Sequence, residues 1–102
     1  MTVVLEKVQR LERYVQAANG QVDEIVESTI DKLLGRERQR LINQLARLEA
    51  QAAEFENRYG WRSSEFYPRF ERGELGDAMD FIEWSATIEM IRNLRGRVTS
   101  IG

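Results

Sequence analysis

The chain has 102 residues, 31% of them charged and 42% apolar, and a net charge of −2. That length allows one domain, whose core closes only through tight helix packing or a second copy, and the near balance of charge offers no bulk attraction for nucleic acid or anionic membrane. Cysteine and histidine are absent, which excludes disulfides, thiol chemistry, the usual structural zinc sites and the commonest acid–base side chain at neutral pH.

Thr2 to Ala18 reads as an amphipathic helix capped by Thr2, because Val4, Val8, Leu11 and Val15 repeat on one face. Its start turns charged at Glu6 and Lys7, unlike a signal peptide. No run approaches the roughly 18 to 20 apolar residues of a membrane span, so a cytoplasmic location is expected. Asn19-Gly20 supplies residues that tolerate the left-handed conformation ending a helix.

Asp23 or Gln21 then reopens the chain into a very long helix over Val22–Tyr59, with Glu24 and Glu27 at the positive end of its dipole. Unbroken, it measures about 57 Å at a rise of ~1.5 Å per residue. The short connection predicts that the first two helices form a hairpin over 1–59. Leu41, Leu45, Leu48, Ala52, Phe55 and Tyr59 draw a single stripe and are assigned to an intra- or intermolecular seam with coiled-coil character. Gly35 and the charged run Gly35–Arg40 interrupt the pattern as a kink, a break or a point of close approach.

Gly60 ends the long helix. Ser63-Ser64-Glu65 opens a short helix that contains Pro68 and stops at Gly73. Asp77 is read as the cap of a last helix, with Asp80 in the capping-box position. That helix carries Phe81, Trp84, Ile88, Ile91, Leu94 and Val98. The expected fold is all-α: a single domain over 1–102, with the hairpin followed by aromatic and acidic C-terminal helices over 60–102 that pack back.

Chemistry-bearing constellations are few, and neither catalytic residues nor a cofactor are expected. Asp77, Asp80 and Glu83, with Glu74 near, suit either a hard divalent cation or the positive end of a helix dipole; dipole compensation is the simpler reading, and no metal is assigned. Arg36, Arg38, Arg40 and Arg47 make a local basic patch. It fits weak nucleic-acid contact or, with Glu37 among the arginines, salt bridges beside an apolar seam.

Eight of the nine aromatic residues fall between Phe55 and Trp84. Residues 71–90 hold six acids against one base. Such a region is a core, a contact surface for a basic partner, or both. The partner-binding candidates are Trp61, Phe66, Tyr67, Phe70, Glu74, Asp77, Asp80 and Trp84.

The string FENRYGWRSSEFYPRFERGELGDAMDFIEW resembles the tail of small prokaryotic antitoxin-like proteins of type II toxin–antitoxin systems. The matching positions are Phe55, Tyr59, Gly60, Ser64, Phe66, Phe70, Gly73, Glu74, Leu75, Gly76, Asp77, Asp80 and Trp84. The match spans about a third of the chain. In that family such a tail wraps a partner toxin, often a small basic RNase, and blocks it. The resemblance implies a non-enzymatic protein that binds a small basic partner. It does not extend to the strand-rich or helix-turn-helix DNA-binding module with which many such proteins begin. The alternative is a self-assembling helical protein, a homodimer or larger, built on the long helix alone.

Overall fold

The computed structural model describes residues 2–102, and side chains from residue 3 onward. It contains four helices: α1 (Thr2–Ala17), α2 (Glu24–Tyr59), α3 (Ser63–Glu71) and α4 (Met79–Ile101). No strand occurs among the described residues. None of the described helices is long and apolar enough to cross a membrane. The chain divides into a first unit ending at Leu34 and a second over Gly35–Gly102.

In the first unit, Asn19 and Gly20 take positive φ values of 56° and 78° and stop α1. The Asp23 carboxylate then accepts the Ile25 backbone N–H at 2.6 Å, capping α2. Thr2, read as the cap of α1, has no described side chain. Among the described residues of this unit, Val15, Ala18, Val22, Val26 and Ile30, in and either side of the turn, are half-buried. The apolar stripe of α1 is otherwise exposed at Val4, Val8 and Leu11, as are Ile25, Leu33 and Leu34 of α2. Cover in the first third of the long helix is partial, at Val26 and Ile30.

α2 is one helix of 36 residues that runs through Gly35 without a break. A Cβ at Gly35 meets nothing within 4 Å, so this glycine answers to no close approach. Gly96, inside α4, stands equally open. Replacing a helical glycine by alanine recovers about 1 kcal/mol of backbone entropy. Gly96→Ala is accordingly expected to stabilise the second unit by ~1 kcal/mol, read as a higher midpoint in a denaturant titration. An unchanged or lower midpoint contradicts it.

The second unit is built by α4 running back along the C-terminal part of α2. Asp80 bonds Arg58 at 2.7 Å, Trp84 stacks on Phe55, Arg95 bonds Glu49 at 3.2 Å, and Gly102 lies beside Arg38. As numbers rise on α4 they fall on α2, so the pair is antiparallel. The stripe of α2 fills this interface: Leu41, Ala52 and Phe55 are buried, while Leu45, Leu48 and Tyr59 are half-buried. From the other side come Trp84, Ile88, Ile91 and Leu94. Within this chain the seam faces α4.

α3 closes the end of this pair. Its N-terminus lacks a cap from its own N-cap residue, Arg62. Glu56 of α2 substitutes, accepting the Ser63 N–H at 2.6 Å. That frees the Ser63 hydroxyl to accept the Trp84 indole N–H at 3.0 Å. Pro68 offers no N–H to the preceding turn, and the helix ends three residues later at Glu71. At α4 the sequence expectation fails. Ala78 is the N-cap and makes no side-chain cap bond; Asp80 is drawn to α2 instead.

Candidate protein-interaction surface

Trp84 and Phe66 are 0% exposed. Their rings stack with centroids 3.9 Å apart and planes 4° from parallel. Phe55 and Tyr67 complete the buried cluster with Ile88, while Tyr59, Trp61, Phe70, Leu75 and Phe81 pack around it. Burying a large apolar side chain contributes about 1.5–3 kcal/mol, so this cluster is the main source of cohesion at its end of the unit. Tyr67 sends its hydroxyl outward to donate to Glu89 at 2.8 Å, with the Arg92 guanidinium 4.4 Å above its ring.

The Asp80 carboxylate accepts the Tyr59 hydroxyl and the Arg58 guanidinium. The Tyr59 hydrogen bond, then the one from Arg58, hold the Asp80 carboxyl below its ordinary range, and the bond to Asp80 raises the Tyr59 phenol above its own. A depressed carboxyl pKa stabilises the fold above the unfolded pKa of about 3.9 and loses that contribution as pH falls through the folded value. A raised phenol pKa works in reverse, its contribution fading as pH climbs through the folded value above about 10. Asp80→Asn is therefore expected to lower the melting temperature at neutral pH and to flatten its decline below about pH 4. A variant with the acid limb of the wild type contradicts this assignment.

These placements split the partner-binding set proposed from the sequence. Phe66, Tyr67 and Trp84 are core residues, with only the Tyr67 hydroxyl directed outward. Trp61 and Phe70 are half-buried against the same core. Asp80 belongs to the α2–α4 junction. Glu74 and Asp77 are exposed, with Glu74 bonded to Arg72 at 2.7 Å.

Sequence reasoning missed the opposite face of α4. Met79, Ile82 and Met90 are 67%, 45% and 47% exposed, and Ala86 is half-buried between them. At ~100° per residue these four fall within about 80° of arc, away from Trp84, Ile88 and Ile91. Glu83 and Glu89 border the stripe on its two sides. Beyond Met90 the surface dips into a groove where Ala86, Asn93 and Arg97 meet Gln44 of α2. The signal was present in the sequence, since α4 carries apolar residues on two faces, and a helix that is apolar all round expects cover all round.

The remaining constellations dissolve into ordinary contacts. Among the described residues no three acids converge as metal ligands, so Glu74, Asp77, Asp80 and Glu83 do not form one cluster. Arg40 bonds Glu37 within α2 at 2.8 Å, and that bond lowers the Glu37 carboxyl; this pair does not reach across helices as the sequence suggested. Among the described residues, the ion pairs that cross between helices are Arg58–Asp80 and Arg95–Glu49. No family model matches the chain, and neither does any curated protein or solved structure.

Proposed function

We propose that this chain is a non-enzymatic protein-binding component, antitoxin-like in role, that takes a small basic protein on the open face of α4. One observation carries the reading: an exposed apolar stripe, Met79, Ile82, Ala86 and Met90, bordered by Glu83 and Glu89. Methionines adapt to varied partner shapes, and a rim of one sign steers and orients a partner of the other. The excess of acids over bases in residues 71–90 and the resemblance of residues 55–84 to antitoxin tails point the same way. A cytoplasmic setting, compatible with the absence of cysteine, belongs to this reading. Nucleic-acid contact through Arg36, Arg38 and Arg47 is the weaker alternative, with Arg40 already bonded to Glu37.

Purification from the native host under low salt tests it. The expected companion is a small basic protein that salt releases and that Ile82→Arg no longer retains, while the variant melts as the wild type does. A wild type that always purifies alone overturns the reading. So does a companion that Ile82→Arg holds equally well.

A further inference from the structure

α1 presents a seam with the features of a coiled-coil strand, open along Val4, Val8 and Leu11 and half-covered at Val15. Val8 and Val15 fall at a positions, Val4 and Leu11 at d, Lys7 at g and Glu12 at e. Val4, Val8 and Leu11 are exposed, and Leu5 and Tyr14 beside the seam are exposed as well. Water thus contacts most of the apolar surface of a 16-residue helix, and a helix of that length is marginal without packing.

From these positions we infer that the occupant of this face is α1 of a second copy, in a parallel two-stranded coiled coil. Two features select that arrangement. A β-branched residue at a with leucine at d favours two parallel strands, which is the pairing of Val8 and Val15 with Leu11. In parallel strands a g residue faces the e residue five positions on in the partner, so Lys7 of each copy meets Glu12 of the other and both flanks carry opposite charges. In antiparallel strands g faces g and e faces e, which sets lysine near lysine and glutamate near glutamate. The seam is short, and Leu5 and Tyr14 widen it. It lies on the first unit and stands whether or not the partner reading above holds.

Sedimentation equilibrium of the full chain is expected to show a dimer. Lys7→Glu alone, and Glu12→Lys alone, each turn two attractive contacts into repulsive ones, so each is expected to raise the dimer dissociation constant by about tenfold. Mixing the two variants restores attraction on both flanks and is expected to recover wild-type affinity as a heterodimer. The chain has no cysteine, so Leu11→Cys provides a direct register test: a d residue faces its own equivalent in a parallel pair, and mild oxidation should yield a disulfide-linked dimer. All three positions are on α1, and an unchanged helix signal in circular dichroism verifies that each variant is folded. A monomeric wild type overturns the inference. Charge variants that dimerise as the wild type does, or a Leu11→Cys protein that stays unlinked, also overturn it.

Discussion

Trp84→Ala is expected to cost about 3–5 kcal/mol, the range for truncating a large buried aromatic, and to take the second unit to the edge of unfolding. A small domain has only about 5–15 kcal/mol in total. The side chain is fully buried, stacks on Phe66 and Phe55, and donates its indole N–H to Ser63. Alanine leaves a void among three helices and strands the hydroxyl that positions the start of α3. Trp84→Phe keeps most of the stacking and forfeits the hydrogen bond, for which about 1 kcal/mol is expected. Chemical denaturation followed by circular dichroism separates the two. Equal losses would show that the cluster does not depend on the ring volume, contrary to the packing described above.

Leu41→Ala should have the next largest effect, a loss of about 2–5 kcal/mol. Leu41 is 3% exposed, on the part of α2 along which the C-terminal end of α4 runs. Leu45 and Leu48, equivalent to it by spacing, are only half-buried, so their alanine variants should lose clearly less. The ordering Leu41 above Leu45 and Leu48 is what distinguishes an interface within one chain from a symmetric seam between copies of α2. Comparable losses at all three, together with a change in oligomeric state, would restore the intermolecular seam.

Local signals carried the sequence reading a long way. The four helices and their order were legible because capping and periodicity act over a few residues. Asp23 caps α2 as its position suggested. Asn19-Gly20, Gly60 and Gly73 adopt the left-handed backbone that ends α1, α2 and α3. Gly35 was ambiguous for a local reason: a lone glycine costs a helix about 1 kcal/mol, too little to break one whose flanking residues are strong helix formers.

The helices and the apolar stripe on each thus follow from neighbouring residues alone. Tertiary structure alone decided what lies against those stripes. Phe66 and Trp84 looked equally suited to a core or to a partner, since an aromatic residue at helical spacing reads the same in both. The return of α4 along α2 put them inside. Asp80 had the local position of a capping residue, yet Arg58 and Tyr59, more than twenty residues away, made a better site for its charge. Glu56, unremarked in the sequence, became the cap of α3. The reason is common to all of these. Spacing along a helix specifies a direction for each side chain, but the burial and charge it meets there depend on which helix arrives from far along the chain. The same geometry that enclosed the aromatic residues left the Met79–Met90 face of α4 and the Val4–Leu11 face of α1 open to solvent.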